Sequence, residues 1–154
     1  ETAKSCGLKI SIDLASFNVV ESNLSFLKEL LQKYVEIVFA NEEEATALTG
    51  KSAEKAVEEI ADMCEISVVK IGKKGSFVRS AGETFVIRTS AVDAVDTTGA
   101  GDLYASGFLF GLANGFDLQR CGKIGSLVAS KVVQVVGTKM STETWNEIKS
   151  EIYA

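Results

Sequence analysis

The sequence contains no proline and no histidine. Without proline there is no rigid hinge or Pro-rich linker, which fits one compact domain. Without histidine, Ser-His-Asp and Cys-His catalysis and His-ligated metal are excluded. Any proton transfer falls to a carboxylate, lysine, tyrosine or cysteine. Cysteine is scarce. Cys6, Cys64 and Cys121 are odd in number, far apart and without CxxC spacing. They give neither a disulfide framework nor a zinc site, and they point to a reducing, cytoplasmic compartment. Positive charge is also short: 16 Lys and Arg against 21 Asp and Glu leave a net charge of −5, the wrong sign for nucleic acid as the main partner. No apolar run reaches the roughly 18 residues of a membrane span, so no membrane partner is expected. The opening ETAKSCG is polar and unlike a signal peptide. The chain starts at Glu1 rather than Met, so a processed chain or a piece of a longer protein is expected.

What remains is ordinary globular material. The 154 residues are 46% hydrophobic and 24% charged, enough for one domain with its own core. Apolar strand patterns occupy 8–13, 36–40 and 66–72. Helical spacing covers 22–34 with Ser22 as N-cap, 41–50 with Asn41 at its start and Gly50 just past its end, and 52–64 with Ser52 as cap. Residues 75–80 and 83–92 read as a hairpin around Ala81-Gly82. Three helices follow, over 99–114, 117–137 and 142–153. Met63, Cys64 and Cys121 read as core fillers, as does the apolar stripe of 103–113. This order predicts an α/β fold, a mostly parallel sheet with crossover helices, and the continuous apolar strands agree with burial on both faces.

In such a sheet, ligands bind at the carboxyl ends of the strands. Asp13, Asn41, the Gly72–Gly75 turn and the Asp96–Asp102 segment all fall at such positions. DTTGAGD (96–102) is the most informative. Gly99, Ala100 and Gly101 let successive N–H groups turn toward one spot, and the following helix adds its positive end. Two readings stay open on the residues alone. Asp102 is a helix cap, or it is a base beside an anion site, accepting a proton from a hydroxyl that attacks a phosphoryl group. The segment is not a P-loop, because no GK[ST] follows, and not GxGxxG, because Tyr104 stands at the third glycine. KIGKKG (70–75) reads as a turn with solvated lysines or as a phosphate loop. Asn41 and Glu44 form a capping-box pattern, or organise water around a Mg²⁺–phosphate group.

VDTTGAGDLYASGF resembles the second signature of the PfkB/ribokinase-like carbohydrate and nucleoside kinases. KISIDLASFN, FANEEEA and VVKIGKKGS before it and ASKVVQVVG after it keep the family's order, and the last, with DLASFNVVE, is most like the adenosine-kinase-like branch. The resemblance implies a ribokinase-like three-layer α/β/α fold, with residues 1–154 as its C-terminal, nucleotide-side half and a substrate and lid half outside it. It implies ATP-dependent phosphoryl transfer to a sugar or nucleoside hydroxymethyl group. Asp102 would be the base, with Gly99, Ala100 and Gly101 as the anion hole. Gly72, Gly75, Lys70 and Asn41 would border the nucleotide, although Lys70 stands where the family usually carries Thr or Ser. Glu44 would serve Mg²⁺. Asp96 and the Thr98 backbone would serve a monovalent cation, K⁺. The partner is a small molecule. A half-sheet would also expose an apolar edge open to self-association into a homo-oligomer. The alternative is a nucleotide-binding or regulatory module without catalysis.

Overall fold

A computed structural model describes all 154 residues. They form two compact units, residues 1–72 with 76–86 and residues 73–75 with 87–154.

The sheet has the order β1-β2-β3-β4-β5. β1 (Ser11–Asp13), β2 (Ile37–Asn41) and β3 (Ile66–Lys70) are parallel, with Ser11 opposite Ile37 and Ile37 opposite Ile66. β4 (Ser76–Ser80) runs antiparallel to β3, and β5 (Glu83–Ile87) follows across Ala81-Gly82, both at positive φ of 50° and 81°. That is the chirality a two-residue hairpin turn demands. Val38, Phe39, Ala40, Val68 and Val69 are fully buried, so both faces of β2 and β3 are covered, as parallel strands require.

The first unit adds α1 (Thr2–Ser5), α2 (Phe17–Ser22), α3 (Leu24–Tyr34), α4 (Glu42–Thr49) and α5 (Ala53–Ala61). Its core gathers Val20, Leu31, Leu48, Val57 and Ile60 around Val38, Ala40 and Val69. α4 starts at Asn41 and stops at Gly50, whose φ is 72°, as the sequence predicts.

Several boundaries differ from the sequence reading. Ser22 does not cap a helix; it ends α2, which starts behind Ser16, whose Oγ accepts from the Val19 N–H at 3.4 Å. Asn23 opens α3, while its side chain turns back to donate to Val19 O at 2.9 Å. The first strand shortens from 8–13 to 11–13, its ladder with β2 starting at Ser11 opposite Ile37. β5 stops at Ile87 rather than 92, since the five residues of β4 pair with only five. α5 ends at Ala61, and Ser52 caps it without a side-chain hydrogen bond.

The second unit contains α6 (Ala100–Ala113), α7 (Leu118–Val132) and α8 (Thr142–Tyr153). α6 and α7 lie backbone to backbone. A Cβ on Gly107 would meet Gly125 Cα at 3.0 Å, and one on Gly125 would meet Tyr104 O at 2.8 Å, so the close approach needs glycine at both places. Ile124, Val128, Val132, Ile148 and Ile152 form the core, with Ala100 and Leu103 of α6 packed on it. The stripe 103–113 is core on one face, through Tyr104 and Phe108, while Phe110 is 41% exposed. No helix is long and apolar enough to cross a membrane.

Candidate functional site

In the first unit, three parallel strands end side by side on polar residues: Asp13 on β1, Asn41 on β2 and Lys70 on β3. Lys70 reaches past the end of β2, and its Nζ donates to Asp13 Oδ2 at 2.6 Å. Both side chains are largely shielded, at 13% and 27% exposure. Asp13 Oδ1 accepts from the Ala15 N–H at 3.2 Å, and the Ser16 N–H donates to Leu14 O at 2.8 Å. Ala15 sits between them at φ 66°. A three-residue turn with an L-residue at positive φ is a strained form that persists only where its surroundings hold it.

Glu44 lies next to this row, on the first turn of α4, and is buried. Burial pushes its carboxyl above the ordinary value; the Asn41 N–H pulls it down, Asp13 pushes it up, and Lys70 lowers it. The capping box is complete. The Asn41 side-chain oxygen accepts from the Glu44 N–H at 2.9 Å, and Glu44 accepts in return from the Asn41 N–H at 2.8 Å and from its amide nitrogen at 2.7 Å. Both carboxylate oxygens are therefore engaged, one by the main chain of Asn41 and one by its side chain. No group of three or more acidic, Cys or His residues is arranged to hold a metal by itself.

KIGKKG forms a short 3₁₀ turn, Gly72–Lys74, with Gly72 at φ 56° and both lysines exposed. In the second unit, Gly75 has φ 107°, and a Cβ there would lie 1.8 Å from Ile87 O. Only glycine fits at that point.

The second unit carries DTTGAGD. Asp96 Oδ1 accepts from the Thr98 N–H at 2.9 Å, and Oδ2 accepts from the Gly137 N–H at 2.8 Å. The Thr98 side-chain and backbone hydrogen bonds, then that of Gly137, hold the Asp96 carboxyl below the usual carboxylate range. Gly99 is the N-cap of α6 at φ 74°. The Ala100 N–H donates to Thr97 O at 3.2 Å, and the helical ladder opens with Leu103 N–H to Gly99 O at 2.9 Å. The Gly101 and Asp102 N–H groups precede that ladder, where a helix leaves its donors without internal partners. Asp102 is the third helical residue, is exposed, and is not the cap. Of the two sequence readings, the geometry removes the helix cap.

Burial lifts the Cys64 thiol to about 12 and the Cys121 thiol to about 11, so neither offers a thiolate at neutral pH.

A cavity of about 410 Å³ in the second unit was not foreseen. It is bounded by Arg88 and Thr89 after β5, by Lys123, Ser126 and Leu127 of α7, and by Ile152 of α8. The available signal was the spacing of Lys123, Ser126 and Ser130, polar residues three and four apart along one line of a helix whose other side is core.

The family model described as pfkB family carbohydrate kinase matches residues 9–145. An uncharacterized sugar kinase of Archaeoglobus fulgidus is 32% identical over 120 residues, 77% of this chain and 48% of that protein. The solved adenosine kinase of Sinorhizobium meliloti is 34% identical with a TM-score of 0.90, covering 97% of this chain and 46% of its own. The solved ribokinase of Thermotoga maritima is 25% identical with a TM-score of 0.81, covering 96% and 51%. The fold is thus ribokinase-like. The chain spans about half the length of the curated relatives it matches.

Proposed function

The chain belongs to the pfkB family of carbohydrate kinases, and from that premise we propose that residues 1–154 form the nucleotide-binding and catalytic half of a cytoplasmic kinase that transfers the terminal phosphoryl group of ATP to a hydroxymethyl group of a sugar or nucleoside. One observation carries this reading. An exposed carboxylate, Asp102, stands on the first turn of a helix whose Gly101 and Asp102 N–H groups precede the helical ladder and whose cap is a glycine at positive φ. Such amides suit a phosphoryl group in transfer, and a carboxylate beside them suits removal of the acceptor's hydroxyl proton. In phosphoryl transfer the protein positions groups and offsets charge, and little else is asked of it.

Asp102 takes the acceptor proton, and Gly99, Ala100 and Gly101 shape the anion hole. A side chain at Gly99 would run into Thr138 Cγ2 at 2.5 Å, so the cradle depends on that glycine. Lys70, Asn41, Gly72 and Gly75 border the nucleotide. Taken unit by unit, the groups suit phosphate: the Gly101 and Asp102 amides ahead of the α6 ladder in the second, and Lys70 with the side-chain-free Gly72 in the first. Mg²⁺ bound to the phosphates would offset their charge. Glu44, with both oxygens on Asn41, would orient the water around it. Asp96 keeps lone pairs beyond its two hydrogen bonds, which with the Thr98 carbonyl would suit K⁺.

The test is transfer of labelled phosphate from Mg-ATP to a panel of sugars and nucleosides. Transfer to a primary hydroxyl is expected. Nucleotide binding with no transfer to any acceptor overturns the kinase reading and favours a nucleotide-binding module. That second reading draws on one fact, the coverage of only about half of each relative.

A further inference from the structure

Lys70 and Asp13 meet at the ends of β3 and β1, and the pair leaves the lysine only partly satisfied. Of the three protons on the Lys70 ammonium, one goes to Asp13 Oδ2 at 2.6 Å, and no other protein acceptor takes the remaining two. The side chain is nevertheless only 13% exposed. A shielded cation with unspent donors, at the carboxyl end of a parallel strand, suits an anion. Two acids stand near it. Glu44 cannot turn toward it, because Asn41 holds both of its oxygens. Asp13, at 27% exposure, is the one with room to move.

The second oxygen of Asp13 is tied to the chain that follows. Oδ1 accepts from the Ala15 N–H at 3.2 Å, and Ala15 stands at φ 66°, a value that an L-residue keeps only where its surroundings hold it. Ser16, the next residue, caps α2 by accepting from the Val19 N–H. One carboxylate therefore links the lysine to the strained turn, and the turn leads straight into the start of α2. The two oxygens are rigidly joined, so a swing that frees Lys70 also gives up the Ala15 N–H.

A phosphate placed on Lys70 brings like charge against Asp13. We propose that Asp13 is an internal counter-ion: it holds Lys70 in place while the phosphate subsite is empty, yields it to an incoming phosphate, and in yielding releases the Ala15 turn and the first turn of α2. This deepens the kinase reading above and rests on it, because it takes Lys70 as a phosphate ligand. It makes Asp13 a positioning residue that also competes with the ligand, since phosphate reaches Lys70 only in the fraction of molecules where the pair is open.

Binding of inorganic tripolyphosphate to the full chain, followed by calorimetry, tests this together with hydrogen exchange over residues 14–19. Asp13→Asn is expected to bind tripolyphosphate about tenfold tighter, the scale of one hydrogen bond to a charged group, although it unfolds more easily. A purely structural Asp13 gives no such gain. Lys70→Met is expected to bind about tenfold weaker. In the wild type, exchange over 14–19 is expected to speed up as tripolyphosphate binds, the reverse of ordinary protection by a ligand, and this arm needs no variant. Exchange that slows or stays constant there, or binding by folded Asp13→Asn that is unchanged or weaker, overturns the inference alone. Binding that is indifferent to Lys70→Met also overturns it and leaves the helix amides as the phosphate site. If the wild type binds no tripolyphosphate, the kinase reading falls and takes this inference with it.

Discussion

Asn41 holds both carboxylate oxygens of Glu44: its main-chain N–H donates to Oε2 at 2.8 Å and its side-chain amide to Oε1 at 2.7 Å. The pair closes the start of α4 at the end of β2, and it fixes a buried carboxylate in one orientation.

Glu44 therefore leaves a signature in stability against pH. Burial raises its carboxyl above the ordinary 4.5, so the folded state binds the proton more tightly than the unfolded chain. Its contribution is fully present below 4.5 and is lost as pH rises through the raised value. Glu44→Gln keeps the reach of the side chain and removes the titration. Urea unfolding between pH 4 and 7 is expected to show the variant gaining on the wild type as pH rises through that window. A constant difference contradicts the assignment.

Gly99 is constrained twice, by its φ of 74° and by Thr138. Gly99→Ala is expected to cost about 1–2 kcal/mol for the left-handed backbone alone. The methyl also strikes Thr138 Cγ2, 2.5 Å from its ideal position. Thr138→Ser removes that carbon. Gly99→Ala should thus cost less in the Thr138→Ser background than in the wild type, with the backbone part remaining. Equal costs in both backgrounds would show that the two residues do not meet.

Lys70 and Asp13 are mostly shielded, unlike the exposed pair of Lys9 and Glu65. Asp13→Asn leaves the lysine charge without its partner and loosens the turn at Ala15. It is expected to cost about 1–3 kcal/mol, below the range for a fully buried pair because some solvent remains. Glu65→Gln is expected to have no measurable effect. Thermal unfolding of the two variants checks the contrast.

The sequence made some of this plain and hid the rest, for physical reasons. DTTGAGD was legible because its meaning is local: a glycine that takes positive φ, then a helix with an acid on its first turn. The Asn41–Glu44 box was legible for the same reason, since both partners lie within one turn. Lys70 and Asp13 are 57 positions apart, and nothing in either stretch announces the other. Ala15 at φ 66° carries no glycine to mark its turn, so α2 behind Ser16 is hidden in the sequence, and Ser22 stands one residue before Asn23, the N-cap of α3. Ser126 looks like any small residue on a packed helix, and its place in a cavity wall emerges only once α7 and α8 are packed together.

The central claim is that Asp102 takes the acceptor's proton while the amides beside it hold the phosphoryl group. Asp102→Asn keeps the size and position of the side chain and removes the base. Turnover and ATP affinity measured together on that variant test the claim most directly. The account predicts a fall in kcat of about 10²–10⁴ with ATP binding unchanged. Wild-type turnover in the variant, or a loss confined to ATP binding, would contradict it.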